Sequence, residues 1–204
     1  MANRREFLQA AAAATGATAA AQAGFAADGM LTSGPLALHA VIVDRRFPES
    51  RAFGERLAGR GAPVRSIDAD VTDLWRDELK PLWTRTPEAI AGLTARPALF
   101  LLERLAWDHR MRVVFHAEHE RLAGGGFAHA LLQGGAGFRA ADLEAAGAWW
   151  IEALAGALEG LPSAARTAGP TPAGLAAHLE EIGEPLASWV IAPVAPVART
   201  GAQA

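Results

Sequence analysis

The run Leu36-Ala-Leu-His-Ala-Val-Ile-Val43, closed by Asp44, constrains the fold more than any other stretch of the chain. With one polar interruption, it leaves neither face of a strand for water, which is the pattern of an interior strand in a parallel sheet. Such a strand needs neighbours on both sides, and the next segments supply one. Glu49 to Gly59 carries Ala52, Phe53, Leu57 and Ala58 at helical spacing, with Gly59 or Gly61 as the stop. Pro63-Val64-Arg65-Ser66-Ile67-Asp68 then reads as a second short strand. The three segments form a β-α-β unit, whose crossover is right-handed in nearly all known cases.

Further along, Thr72 and Asp73 are placed to cap a short helix that Pro81 terminates. Thr86-Pro87-Glu88 reads as another helix or turn start, and Ile90 to Thr94 suits a third strand. Thr94 also stands where it would cap a helix near 96–109, whose Ala98, Leu99, Leu101, Leu102, Leu105 and Ala106 make a broad apolar face. Arg112 to Glu118 reads as a strand, Gly124-Gly125-Gly126 as a turn, and Phe127 to Leu132 as an antiparallel return strand. A helix follows over about 139–158, with Leu143, Ala146, Trp150, Leu154 and Leu158 along one side. Residues 162–173 read as a loop, 172–182 as a last helix, and Trp189 to Ala192 as an edge strand. Strands alternating with helices predict an α/β fold: three-layer, with a mainly parallel sheet built from β-α-β units, an added hairpin and C-terminal helices. One domain over 36–192 is expected, after a flexible lead-in at 24–35 and before a loose Pro- and Ala-rich tail at 193–204.

The first residues are of another kind. Asn3-Arg4-Arg5-Glu6-Phe7-Leu8-Gln9 is followed by a run of Ala, Thr and Gly up to Ala21-Gln22-Ala23. A basic start, a modest apolar stretch and small residues at a cleavage point are the parts of an export signal. The apolar stretch is short and rich in alanine, a poor anchor beside the roughly 20 strongly apolar residues of a spanning helix. Arg4, Arg5, Phe7 and Leu8 resemble the twin-arginine signal family, with Asn3 where Ser or Thr is usual and Gln9 where Lys is common. The resemblance covers residues 1–23 and implies cleavage after Ala23, or after Ala26 or Ala27. It implies recognition by the twin-arginine export machinery, a periplasmic location and cargo exported already folded. Cargo of that route often carries a cofactor or travels with a partner that does, so an exported oxidoreductase or another protein is an expected partner.

The chain has no cysteine, which excludes disulfides, thiolate metal sites, covalent haem and thiol catalysis within it. Its 19 basic and 22 acidic residues form no basic tract, so nothing points to nucleic acid. No Gly-x-Ser-x-Gly elbow exists, and Gly124 to Gly126 and Gly134 to Gly137 read as hairpin turns because neither carries the phosphate-loop pattern. No cofactor can be named from these residues.

In open parallel sheets, ligands bind beyond the C-terminal ends of the strands. That rule nominates Asp44 with Arg45 and Arg46, then Asp68 and Asp70, Thr94, and the set His116, Glu118 and His119. Asp44, His116 and Glu118 are the candidate acid–base residues of a small metal-assisted hydrolase. His116, Glu118 and His119 are the densest metal-type ligands, with His39, His109 or His129 as a further one. On a strand, however, 116 and 118 share a face while 119 points away. Asp68, Asp70 and Asp73 suit a hard cation, but helix capping is the simpler account. Six tryptophans without a tyrosine, two of them adjacent at Trp149 and Trp150, suggest an interaction surface. Three readings follow: an accessory or binding component of an exported system, a small periplasmic enzyme, or a small-ligand receptor.

Overall fold

The computed structural model describes residues 36–134, 137–161 and 183–194. The export segment and lead-in, the loop and helix expected over 162–182, and the tail from 195 onward lie outside the described residues.

The apolar run is β1 (Leu38–Asp44). It is followed by α1 (Pro48–Ala58) and β2 (Val64–Ile67), and β1 and β2 pair in parallel as expected of the β-α-β unit. The ambiguous segment is β3 (Ala89–Ala95), parallel to β1 on its other side. Beyond it come β4 (Met111–Arg121) and β5 (Phe127–Gln133), an antiparallel hairpin, and β6 (Leu186–Pro193). All six belong to one sheet, in the order β2-β1-β3-β6-β4-β5. The sheet is mixed rather than mainly parallel, because β6 enters between β3 and β4 and runs antiparallel to both. β6 is therefore an interior strand and not the edge strand expected of Trp189 to Ala192. Its residues from Leu186 to Ala192 are all buried, as a strand covered on both faces must be.

Alternation along β1 sorts the core into two. Val41 and Val43 join Leu93, Phe115 and Val190 under Phe53 and Leu57 of α1 and Leu154 and Leu158 of α6 (Trp150–Glu159). Ala40 and Ile42 join Ile90, Val113 and Ile191 with Leu79, Trp83, and Leu99 and Leu102 of α4 (Arg96–Trp107). Each cluster is continuous across the sheet, so the two faces are both apolar.

Local chemistry explains the departures from the sequence pattern. Pro81 does not end its helix. The chain runs from α2 (Thr72–Leu74) through a π turn (Trp75–Leu79) into α3 (Lys80–Arg85), with Pro81 in its first turn. The Lys80 N–H reaches back five residues to the Trp75 carbonyl, and that widened turn takes a residue without a donor where a regular helix would clash. Thr86 is extended, as a residue before proline tends to be, so Thr86-Pro87-Glu88 leads into β3 instead of opening a helix. Thr94 caps nothing: it lies in β3, where its Oγ1 accepts the Trp189 indole N–H at 3.1 Å, and Ala95 precedes α4. The helix expected over 139–158 breaks at Gly147, whose φ of 53° favours glycine, into α5 (Ala140–Ala146), a 3₁₀ turn and α6.

Gly92 of β3 faces Trp189 across the β3–β6 ladder. A Cβ there would fall 2.4 Å from the indole Cζ2. Gly92→Ala is expected to cost about 2 kcal/mol through overpacking. A urea midpoint equal to that of the parent protein would show that the indole is free to shift.

Candidate functional site

Asp44 ends β1 with no exposed surface. Its backbone N–H donates to Ser50 Oγ at 2.8 Å, and the Ser50 hydroxyl donates to the Leu93 carbonyl, so one buried hydroxyl ties the ends of β1 and β3 together. The Asp44 carboxylate is gripped by Arg46: Nε to Oδ1 at 3.0 Å, Nη2 to Oδ2 at 2.7 Å, and the backbone N–H to Oδ1 at 3.2 Å. Arg46 Nη1 also reaches Glu184 at 2.9 Å. The hydrogen bonds that the guanidinium donates to Asp44, and the charges of Asp44 and Glu184, push its pKa up. A carboxylate held by a two-pronged guanidinium has little lone-pair capacity left for proton transfer.

Nearby acids are engaged as well. Asp68 pairs with Arg45 at 2.5 Å on the surface. Asp70 accepts the Thr72 hydroxyl at 2.6 Å and the Thr72 N–H at 2.8 Å, which hold its carboxyl below the usual range and cap the turn. Asp73 pairs with Arg76 at 2.9 Å.

The three ligand-type residues of β4 divide as strand alternation requires. His116 and Glu118 face α4. Arg96, the first residue of that helix, holds Glu118 with Nε at 2.7 Å from Oε1 and with Nη2 on Oε2. His116 Nε2 is buried, 3.9 Å from Glu118 Oε1, and makes no hydrogen bond among the described residues. Burial lowers the His116 pKa, Arg96 adds to that, and Glu118 opposes it. Beside this group an open groove of about 480 Å³ is lined by Arg96, Pro97, Leu99, Phe100, Glu103 and His116. Phe100, Leu101 and Trp107 stand exposed on α4, with the Arg104 guanidinium over the Phe100 and Trp107 rings.

His119 points to the opposite face, with no exposed surface. Its Nδ1 lies 2.8 Å from Nδ1 of His129, and its Nε2 lies 2.9 Å from Ser188 Oγ. At that separation one ring donates and the other accepts, and with both rings neutral the proton order runs along the whole chain of three. Trp150 packs on both imidazoles, at 4.7 and 5.1 Å between centroids. Burial pushes His129 down to about 4. Burial, then the neighbouring His129 and His116, push His119 well below the ordinary value. Ser188, His119 and His129 follow the order of nucleophile, base and orienting group. Yet Ser188 is fully buried, and the groove opens on the other face of β4. The arrangement is a satisfied polar network inside the core.

His116, Glu118 and His119 thus do not converge, and Asp44 lies on a different strand end. Among the described residues no group of three His, Asp or Glu side chains could hold a metal ion. No helix among them is long and apolar enough to cross a membrane. The partnership of His119 with His129 is a feature that pattern reading leaves unassigned. Its signal is present, since the two residues are equidistant from Gly124 at the hairpin turn and are direct cross-strand partners. Ser188 has no such signal.

Fold and site together define an α/β protein with a mixed six-stranded sheet and an apolar groove along α4. Comparison with protein-family models, with characterised proteins and with solved structures finds no match to any of them.

Proposed function

We propose that this chain is a non-enzymatic binding component of an exported system. In this reading the twin-arginine leader carries it to the periplasm already folded, and a cofactor-bearing oxidoreductase is the partner that the folded route favours. The helices over the two apolar clusters serve as the outer layers of a three-layer fold. The observation that supports binding over catalysis is the state of the acid–base candidates. Asp44 and Glu118 are each held by two nitrogens of an arginine, and the metal-type ligand His119 is sealed between His129 and Ser188. The groove beside Glu118 and His116 has apolar walls and few polar groups, the composition of a recognition site.

Two experiments test this. Fractionation of cells expressing the full chain is expected to place a shortened protein in the periplasm. Arg4→Lys with Arg5→Lys is expected to trap the full-length precursor in the cytoplasm, because the signal is read by a receptor and not by charge alone. Export of the double variant at the parent level would overturn the leader assignment. Native mass spectrometry of the periplasmic protein is expected to show a bound partner or small molecule. Turnover of ester, phosphoester or glycoside substrates that Asp44→Asn or His116→Ala abolishes would overturn the non-enzymatic reading.

A further inference from the structure

The groove along α4 carries a charge imbalance. Arg96 and Glu118 neutralise each other at one end. The imidazole of His116 is kept neutral near pH 7 by its burial. Glu103 lines the groove one turn after Leu99 and makes neither an ion pair nor a hydrogen bond among the described residues. Arg104 is not a lining residue, and its guanidinium lies 5.1 Å from the Phe100 ring and 4.2 Å from that of Trp107. Among the described residues the groove therefore presents apolar walls from Pro97, Leu99 and Phe100 and one uncompensated carboxylate, with the His116 ring at its side. Its volume of about 480 Å³ lies inside the roughly 300–1,000 Å³ range of small-molecule sites.

We infer that this groove binds a small ligand with an apolar body and one ammonium group, held by the Glu103 carboxylate. The inference rests on the binding reading given above and names the ligand class of the same surface. An ammonium offers three donors and no acceptor, which matches a carboxylate that lacks a donor. An apolar body on Leu99, Pro97 and the Phe100 ring removes surface from water that is otherwise exposed. An anionic ligand would meet Glu103 unscreened, and Arg96 is already committed to Glu118. A neutral ligand of the same shape keeps the apolar contacts and can still donate to the carboxylate, but it loses the attraction between opposite charges.

Three probes of one shape separate these cases: 2-phenylethylamine, 2-phenylethanol and phenylacetate. Titration calorimetry of the purified protein at pH 7 is expected to show the amine binding about tenfold tighter than the alcohol, the step that the ligand's positive charge adds to the hydrogen bond. Phenylacetate is expected to bind more weakly than either. Glu103→Gln is expected to bring the amine to the affinity of the alcohol and to leave the alcohol unchanged. An unaltered urea midpoint would show that the variant is intact. Equal affinities for the three probes, no binding of any, or an unchanged amine affinity in Glu103→Gln would overturn the inference. Conversion of the amine to a product would leave this site standing and overturn the non-enzymatic reading instead.

Discussion

Replacing Arg46 by methionine is expected to lower the folding free energy by about 3 kcal/mol, the cost of leaving a buried carboxylate without its cation. Asp44 has no exposed surface, and two of the three hydrogen bonds to its carboxylate come from the Arg46 guanidinium. Methionine keeps the length and apolar stem of arginine while removing those donors. The Arg46 backbone N–H at 3.2 Å and the position of Asp44 before α1 offset only part of the loss. Asp44→Asn combined with Arg46→Met is expected to recover most of it, because an amide can be buried without a counter-charge. Urea unfolding of the three variants at pH 7 reads this directly. A single variant as stable as the parent would mean that the pair does not hold Asp44 in place, and would return Asp44 to the list of residues able to act as a base.

The second large effect is acid lability. An unfolded histidine titrates near 6.5, while His129 in the fold titrates near 4 because burial disfavours its charged form. Above pH 6.5 both states are neutral and the contribution is fully present. As the pH falls below 6.5 the unfolded chain takes up a proton that the native protein refuses, and stability declines until about pH 4. For His129 alone that interval is worth about 3 kcal/mol. His119 and His116 are lowered as well and act in the same direction. The exposed carboxylates of Asp70, Asp77 and Asp142 are lowered from 3.8, so their losses lie at lower pH and do not obscure this window. Urea midpoints at pH 7, 5.5 and 4 are expected to fall steadily, and His129→Leu is expected to flatten the decline. A midpoint constant from pH 6.5 to 4 would show that the imidazoles are hydrated or exposed.

The readable parts of this fold are those whose signals are local. The apolar run of β1, the glycine stop after α1 and the alternation in β4 each lie within about ten residues, and the β-α-β unit and the hairpin follow from them. The same alternation already separates His119 from His116 and Glu118. What could not be read is whatever depends on distant partners. A strand's own pattern reports that both faces are covered, as Trp189-Val190-Ile191 does, but not its direction or its neighbours. Hence a mixed sheet looks parallel from its first three strands. Ser188 meets His119 across 69 residues of sequence, and nothing near either residue announces the other. Pro81 misleads for the opposite reason: a local rule is overridden by a π turn that the surrounding packing of Leu79 and Trp83 fixes in place.

The seat of β6 has a consequence in time as well as in space. It lies between β3 and β4 although it follows both in the chain, and each flanking ladder joins residues far apart in sequence. When the first five strands have left the ribosome, the middle of the sheet is still a gap, with the long apolar edges of β3 and β4 open to other chains. Such loop closures are slow, so the nascent protein waits for its keystone. Under the export reading proposed above, a keystone near residues 186–193 would make structural completion and fitness for transport a single event.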